Sequence, residues 1–395
     1  MSNWIILIGG RSAALEAALA LNLKVLLIAE PTTPKRVLAK ADQHLAISLR
    51  APFQEILSNT LPLLADNHPL AIIAATEQGV LPAAQLREYF SIDGQDVNSA
   101  RDALIKSKMK KRFKHAGLPC WPTVEVKSVE QALHIAQQYT YPLVVKALAS
   151  SGSRGFRIIK DRATLRRVVT TMLERADYGG VGIEPFCDLK ECSVELILHN
   201  GNIIFSNVTN YLIASKLNFL PAKFPQALSD KLLTLCHDVA TTFNFKQGML
   251  HIEFYYSDSE LWLGEVNARP PGGGLMELIE LAYDFNPWDL FIRSYLKEPL
   301  QRITQTKKYY AANWVIHPGK GIVKNISGID DIVNHPLTKH FSLKLKEGQT
   351  VYRREGTGSS VGNLTMCSKD HNKLTRAILT STQILQIEME KEQKI

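Results

Sequence analysis

Continuous apolar runs alternate with helix-compatible segments over the first ninety residues, and this alternation limits the fold more than any other feature of the chain. The apolar runs are Trp4–Ile8, Val25–Ala29, His44–Leu49 and Leu70–Ala75. An Ala- and Leu-rich stretch from Ser12 to Asn22 separates the first two runs. Apolar runs without polar alternation are typical of parallel strands that helices cover on both faces. The sequence therefore predicts a βαβ layer at the start of the chain.

Two features at the ends of these runs have a plain structural interpretation. Gly9 and Gly10 follow the first run, where a dinucleotide-binding fold carries its phosphate loop, but no GxGxxG pattern is present. A tight turn between a strand and a helix is the favoured interpretation. Glu77 follows the last run, at an edge of the sheet where ligands gather. It could contact an incoming amine, but we interpret it as an exposed acid in a loop.

The formal net charge of +8 is concentrated in one short segment. Between Arg101 and Lys114 there are seven Lys or Arg residues and one Asp, on a predicted helix that ends at Gly117 before Pro119. A basic protein suggests a nucleic-acid partner. However, no aromatic residues interleave with the basic run and no RNA- or DNA-reading motif is present. We expect no nucleic-acid partner and interpret most of the basic run as a solvated face.

The rest of the chain mixes strands and helices around a glycine- and serine-rich loop. A predicted strand, Leu143–Lys146, precedes the loop Ser150–Gly155, and a second strand follows it. This loop differs from a P-loop because no helix and no GK[ST] sequence follow it. Strand patterns dominate after residue 181, interrupted by a predicted helix from Gln226 to Phe243. A final helix is predicted from Asn372 to Glu390.

Length, composition and cysteine placement exclude several classes of protein. At roughly 100–200 residues per domain, 395 residues predict two to four domains. The hydrophobic fraction of 45% and charged fraction of 21% exclude a disordered chain, a collagen-like repeat and a coiled-coil rod. No apolar run approaches the ~20 residues that span a bilayer, and the N-terminus lacks the features of a signal peptide. The five cysteines form no CxxC pair, so we expect a reduced, cytoplasmic chain without a membrane partner.

The densest chemical signal is Glu253 followed by Glu265-Val-Asn267-Ala-Arg269. Glu265 and Asn267 are two residues apart in a predicted strand, so their side chains share a face, and Glu253 joins them if its strand is an antiparallel neighbour. Two carboxylates and an amide oxygen suit Mg²⁺, and a nearby arginine can hold phosphate or carboxylate oxygens. The alternative is a hairpin with a solvated polar face. His251, two residues before Glu253, is interpreted as a packed or solvated histidine.

With this motif, the chain resembles the ATP-grasp superfamily of carboxylate–amine or carboxylate–thiol ligases, most strongly between residues 100 and 300. The arginine-proline-glycine run after Asn267 resembles the subgroup of L-amino-acid ligases and carnosine synthase. The resemblance implies an α/β fold of α+β sandwiches with four parts. These are a Rossmann-like pre-ATP-grasp domain over 1–95, a lid subdomain over 96–185, a metal-binding subdomain over 186–300 and a β-rich C-terminal extension over 301–395.

The resemblance also implies roles for individual residues. Arg269 would be catalytic. Glu253, Glu265 and Asn267 would bind two Mg²⁺ ions, with Mn²⁺ as an alternative. The ATP-binding residues would be Lys108, Lys146, Ser150, Ser151, Gly152, Ser153, Gly155, Glu184, Pro185, Phe186 and Glu191. Lys108 is preferred over Lys106, Lys110 and Lys111 as the first nucleotide-binding lysine because of its distance from the Gly-Leu-Pro sequence that follows the helix.

The implied reaction is ADP-forming: ATP phosphorylates a small carboxylate, and an amine attacks the acyl phosphate. We expect an amino acid to be joined to an amino acid or a similar amine, with small-molecule substrates as partners and a homodimer as the family's common state. Three alternatives are an ATP-grasp carboxylase or formyltransferase of the purine or biotin type, a non-catalytic ATP-binding module, and a nucleic-acid binder.

Overall fold

The computed structural model describes residues 3–150, 152, 154–303, 306–354 and 360–390. Strands and helices alternate along these residues, and the strands that they contain form four sheets. Among the described helices, none has the length and apolar character needed to cross a membrane.

The N-terminal region is a parallel four-stranded sheet between helices. Its elements are β1 (Trp4–Ile8), α1 (Ser12–Ala20), β2 (Lys24–Ala29), α2 (Lys35–Leu38), β3 (Gln43–Ala46), α3 (Phe53–Leu64), β4 (Ala71–Ala74) and α4 (Val80–Tyr89). The strand order is β3-β2-β1-β4, and all three pairings are parallel. Strands β1, β2 and β4 are almost entirely buried, which explains why their sequences are apolar on both faces. The predicted βαβ layer is confirmed.

A tight turn at Gly9 ends β1 close to Thr76, which follows β4. Gly9 has φ +109°, and a Cβ added there would lie 2.4 Å from Oγ1 of Thr76, so only glycine fits. The chain leaves β1 toward β2, while β4 lies on the other side of β1. The carboxyl ends of β1 and β4 therefore flank the crevice in which open α/β sheets bind ligands.

The second region is a small antiparallel sheet with two helices against it. Its elements are α5 (Val97–Leu104), α6 (Lys106–His115), β5 (Val124–Val126), α7 (Val129–Ala136), β6 (Leu143–Ala147), β7 (Arg157–Ile159), α8 (Arg162–Leu173) and β8 (Val181–Pro185). The order of the strands is β5-β8-β6-β7. Apolar residues of α7 and α8 pack with the four strands into one core. We call this sheet and its two helices, from β5 to the end of β8, the lid-like unit.

The remaining chain builds a large antiparallel sheet and a three-stranded one. Its first half contains β9 (Lys190–His199), β10 (Asn202–Ile213), β11 (Leu217–Leu220), α9 (Gln226–Thr242), β12 (Gly248–Tyr256), β13 (Leu261–Asn267), α10 (Leu275–Tyr283) and α11 (Pro287–Arg293). Its second half contains β14 (Tyr310–Ile316), β15 (Gly321–Ser327), α12 (Ile329–Val333), β16 (Thr338–Leu343), β17 (Thr350–Val351), β18 (Gly362–Ser368), α13 (His371–Ile384) and β19 (Gln386–Glu390). The large sheet has the order β13-β12-β9-β10-β11-β14-β18-β16, and the smaller one β17-β15-β19.

Because β11 pairs with β14, the last ninety residues add three strands to the sheet of the preceding region. The predicted boundary at residue 185 coincides with the end of β8. The division into four domains stays a prediction.

The predicted final helix is too long. Helix α13 ends at Ile384, and residues 386–390 form strand β19, which pairs with β15. The sequence Gln-Ile-Glu-Met-Glu alternates polar and apolar residues, and its exposure alternates in the same way. A period of two suits a strand on a half-buried sheet and does not suit a helix.

Candidate active site

A cavity of about 1190 Å³ lies where the three main regions meet. The N-terminal sheet contributes the ends of β1 and β4, the lid-like unit contributes β6, β7 and the end of β8, and the large sheet contributes β9, β10, β12 and β13. Polar and charged side chains from all three regions face this one space. The site is therefore assembled by the tertiary fold from residues far apart in sequence.

Two carboxylates lie opposite each other at the base of the cavity. Glu253 on β12 pairs in register with Glu265 on β13, and His251 pairs with Asn267 one step along. The four side chains share one face of the sheet, as the sequence analysis predicts for antiparallel neighbours. Burial and the charge of Glu253 raise the pKa of Glu265. Burial opposes ionisation of Glu253 too, but the hydrogen bond to His251 and the charges of His251, Lys106 and Arg269 together outweigh it and lower the pKa of Glu253.

The donor atoms at this position fit a hard divalent cation. Glu253, Glu265 and Asn267 offer oxygen atoms only, which is the ligand type of Mg²⁺. Over the described ranges, no group of three or more His, Cys, Asp or Glu side chains could hold a metal ion by itself. A metal ion here would complete its coordination with the amide oxygen, phosphate oxygens and water, which is common for Mg²⁺.

Lys106 is the lysine of α6 that reaches the cavity. Its Nζ donates to the carbonyl oxygen of Ser150 at 2.8 Å and lies 3.2 Å from the Glu265 carboxylate. Burial would lower the pKa of Lys106, but the charges of Glu265 and Glu77 outweigh burial and raise it. Lys106 is therefore a cation held beside the paired carboxylates.

Lys108, the lysine preferred by the sequence analysis, does not line the cavity. It is exposed on the opposite side of α6. Met109 and Phe113 are the buried apolar residues of this helix, and Lys106 and Lys110 share their side at helical spacing. Residue 108 is two positions from Lys106 and so points away from it. The positions of Met109 and Phe113 are the signal that could have identified Lys106.

Lys146 projects from β6 into the cavity beside the end of β8. Its Nζ lies 2.5 Å from Oε1 of Glu184, which also accepts a hydrogen bond from Thr123. Burial would raise the pKa of Glu184, but the charges of Lys146 and Lys110 lower it. Pro185 and Phe186 follow directly and line the cavity, half-buried.

The glycine- and serine-rich loop is partly positioned over the cavity. Ser150 and Gly152 line it, and Ser150 Oγ donates to the carbonyl oxygen of Arg154 at 2.7 Å. Gly155 is buried at the base of the loop and does not line the cavity. Ser151 and Ser153 lie outside the described residues.

Glu191 lines the cavity on β9, between the end of β8 and the paired carboxylates. Burial, together with the nearby charge of Glu253, raises its pKa to about 8. Its position suits a group that accepts hydrogen bonds from a ligand, since contacts of that kind would favour the ionised form.

Arg269 lies just beyond β13 and bridges to the N-terminal sheet. Its NH2 donates to Oε2 of Glu77 at 2.7 Å and lies 3.4 Å from the amide oxygen of Asn267. The side chain of Glu77 is only 16% exposed. The interpretation of Glu77 as an exposed loop acid is therefore wrong, because the fold brings the end of β4 against the end of β13.

His251 is buried between two carboxylates. Nδ1 lies 3.0 Å from Oε1 of Glu195, and Nε2 lies 3.5 Å from Oε1 of Glu253. Burial would lower the pKa of His251, but hydrogen bonds to both carboxylates outweigh it and raise the pKa to about 9. The sequence predicts a packed or solvated histidine, and in the structure His251 is packed, with charged partners at the edge of the cavity.

Comparison with known proteins shows which proteins the chain is similar to. Residues 106–270 match the family described as the carbamoyl-phosphate synthase L chain, ATP binding domain. The structure is similar to the crystal structure of an L-amino acid ligase from Bacillus licheniformis, with a TM-score of 0.79, 16% identity and coverage of 98% of this chain and 99% of that one. The chain has the ATP-grasp fold, and it resembles ATP-grasp ligases. The resemblance and the fold class stated from the sequence are confirmed.

Two curated relatives of this chain represent different activities. An L-arginine-specific L-amino acid ligase from Bacillus subtilis is 23% identical over 77% of this chain and 76% of its own length. A formate-dependent phosphoribosylglycinamide formyltransferase from Pseudomonas putida is 27% identical over 48% of this chain and 49% of its own length. The chain thus spans about half of the formyltransferase and about three quarters of the amino acid ligase.

Four residues that face the ATP-grasp cavity carried no site assignment from the sequence. Arg11 follows the Gly9 turn and donates to the carbonyl oxygen of Pro271 at 3.1 Å. Trp121 lines the cavity and stacks on Trp262, with 4.6 Å between ring centroids. Glu77 and Lys106 complete the set. Packing between regions brings Arg11, Glu77 and Trp121 to the cavity, which no local pattern reports, whereas the helical spacing of Met109 and Phe113 could have identified Lys106.

Proposed function

We propose that the protein is an ADP-forming ligase that activates a small carboxylate as an acyl phosphate and joins it to an amine, amino acid to amino acid. The observation that carries the proposal is the convergence of Glu253, Glu265 and Arg269 with Lys106 and Lys146 on one cavity. The similarity to L-amino-acid ligases supports the choice of amino acids as substrates.

ATP would lie between the lid-like unit and the large sheet. Lys106 and Lys146 would neutralise its phosphates, with Pro185 and Phe186 along the adenine and Glu191 at the ribose. Each lysine is paired with a carboxylate in the structure. Binding of nucleotide would therefore replace the carboxylate partner of each lysine with phosphate oxygens, a strong charge-assisted contact.

Glu253, Glu265 and Asn267 would hold the Mg²⁺ that ATP-grasp enzymes use, with two ions expected and Mn²⁺ as an alternative. When bound, the metal supplies charge neutralisation of the phosphates during transfer. The raised pKa of Glu265 reflects two carboxylates facing each other, a repulsion that a divalent cation would relieve.

Arg269 would bind the transferred phosphoryl group and then the oxyanion that forms when the amine attacks. Its guanidinium is already oriented by Glu77 and the carbonyl oxygen of Pro270. Acyl phosphates hydrolyse readily, so water must be kept out during the reaction. The loop over residues 150–155 would close over the site, since Ser150 already bonds to Lys106.

A second candidate is a carboxylase or formyltransferase of the purine type. The similarity to a formate-dependent phosphoribosylglycinamide formyltransferase favours it over the central half of the chain. Both candidates phosphorylate a small carboxylate, so they share the residues above and differ in the acyl and amine substrates.

The test is nucleotide turnover with pairs of the twenty amino acids, with formate and bicarbonate as further carboxylates. We expect ADP and phosphate to be released with Mg²⁺ only when an acyl and an amine amino acid are both supplied. Release of AMP and pyrophosphate would contradict the proposal, and turnover confined to formate or bicarbonate would favour the second candidate. Glu265→Gln should abolish turnover, whereas Glu260→Gln, an exposed glutamate in the same hairpin, should not.

The four-part domain division and the homodimer also remain proposals. A homodimer would elute at twice the chain mass of 44.1 kDa in light-scattering gel filtration. The active-site proposal does not depend on that result, because residues of a single chain line the whole cavity described above.

A further inference from the structure

The face of the large sheet that carries Glu253 continues beside the cavity as a buried polar surface. One row across four neighbouring strands consists of Asn267, His251, Glu195 and Asn207. The adjacent row consists of Glu265, Glu253, Ser193 and Thr209. Polar side chains buried in a sheet destabilise the fold unless each one is hydrogen-bonded. The opposite face of the same strands is apolar and packs on α9.

Glu195 is the fixed centre of this polar surface. It is fully buried, and its carboxylate does not line the cavity. Oε1 accepts a hydrogen bond from Ser193 at 2.6 Å, while Oε2 accepts one from Asn207 and one from Thr209, each at 2.7 Å. Three donors on two oxygens leave the carboxylate a single orientation, so Glu195 is suited to hold another group in place.

His251 connects this fixed carboxylate to the cavity. Its Nδ1 is 3.0 Å from Glu195, and its Nε2 is 3.5 Å from the Glu253 carboxylate that faces the cavity. The imidazole side chain is 8% exposed and is held by the in-register neighbours Asn267 and Glu195. Because the rigid imidazole ring contacts both carboxylates, the fixed position of Glu195 limits where the Glu253 carboxylate can lie.

We propose that His251 is a positioning residue of the metal site: anchored by Glu195, it holds the Glu253 carboxylate in the orientation that binds the metal ion of the nucleotide. This inference rests on the proposed role of Glu253. Carboxylate ligands of metals are themselves hydrogen-bonded by neighbouring side chains, and loss of such a partner weakens metal binding. Glu253 has a further requirement for such a partner, because Glu265 lies directly opposite it and repels its carboxylate.

The test is a titration of the full-length protein with Mn²⁺ in the presence of saturating ADP, in which electron paramagnetic resonance measures free Mn²⁺. We expect His251→Ala to weaken Mn²⁺ binding about 10–100-fold. Glu195→Gln should weaken it in the same direction by a smaller factor, since the amide can no longer accept from all three donors. In turnover assays, raised Mg²⁺ should restore kcat of His251→Ala.

His199→Ala is the matched control. His199 is also buried on β9, but its Nδ1 contacts the backbone oxygen of Ser294 at 3.1 Å, away from the cavity. This variant should lower the melting temperature while Mn²⁺ affinity stays at the wild-type value. If His251→Ala does not fold, His251→Gln replaces it, because the shorter amide reaches only one of the two carboxylates.

Unchanged Mn²⁺ affinity in the His251 variant would overturn the inference and leave the proposed function standing. Equal weakening in His251→Ala and His199→Ala would also overturn it, since the effect would then be a general loss of packing. Absence of Mn²⁺ binding by the wild-type protein would refute the metal role of Glu253 and, with it, the positioning role of His251.

Discussion

The two sides of α6 carry the same residue type in opposite environments. Lys106 and Lys110 are 8% and 4% exposed, and each donates a hydrogen bond across the interior. Lys108 and Lys111, one turn or less away, are exposed to solvent. Both sides carry lysines, yet only one side reaches the cavity.

The difference shows that the rotation of α6 about its axis decides which of its lysines face the interior and which face solvent. Met109 and Phe113 must be buried, and their position fixes which lysines enter the protein with them. A buried lysine then needs a partner: Lys106 finds Glu265, while Lys110 finds the carbonyl oxygen of Leu263. The exposed lysines account for much of the net positive charge that first suggested a nucleic-acid partner.

Among the lysine variants of α6, Lys106→Met should have the largest effect on activity. It removes a cation from the proposed phosphate site and leaves the Glu265 carboxylate without its partner. We expect kcat/KM for ATP to fall about 10²–10³-fold, a typical loss for one preorganised charged donor. Steady-state kinetics at saturating Mg²⁺ measures this. A variant with wild-type kinetics would show that the buried side of α6 does not contact ATP.

Lys110→Met should change how stability depends on pH. Burial lowers the pKa of Lys110 to about 8, below its value in the unfolded chain. Between pH 8 and pH 10 the unfolded state binds more protons at this site, so the free energy of unfolding should rise with pH by up to about 1.4 kcal/mol per pH unit. The variant lacks this contribution.

Urea denaturation of the wild-type and Lys110→Met proteins across that pH range isolates the contribution of Lys110, because other titrating groups are common to both. Parallel curves would mean that Lys110 titrates as an ordinary exposed lysine, which would contradict its burial.

Lys108→Ala and Lys111→Ala should have the smallest effects. Both side chains are exposed, and the described residues offer neither of them an ion-pair partner within 4.0 Å. We expect each variant to change the free energy of unfolding by less than about 0.5 kcal/mol and turnover by less than twofold. A large loss of turnover in Lys108→Ala would restore the lysine preferred from the sequence and reverse the assignment of the two sides.

The fold was largely predictable from local patterns. Buried parallel strands such as β1 and β2 have sequences that few other structures accommodate, and the Glu253 and Glu265 strands pair as their spacing indicates. The last six residues of the predicted final helix were mistaken because their charged residues hid a period of two.

The candidate site was only partly predictable. Glu253, Glu265, Asn267 and Arg269 form a compact local motif, so the sequence reports them. Glu77 and Arg11 come from the N-terminal region, and only the packing of that region against the end of β13 brings them to the cavity. Glu195 reaches His251 through the pairing of β9 with β12, which the sequence analysis did not identify. Tertiary contacts of this kind leave no periodic signal in one sequence.

The central claim is that the protein activates a carboxylate as an acyl phosphate, and its most direct test follows one oxygen atom of that carboxylate. The pair of amino acids that gives the fastest ADP release would be used, with ¹⁸O in the carboxylate of the acyl partner. An acyl phosphate requires that one labelled oxygen leave with phosphate, so mass spectrometry should find one ¹⁸O in the released phosphate and ADP as the nucleotide product. Phosphate without label, or label in AMP, would contradict the account.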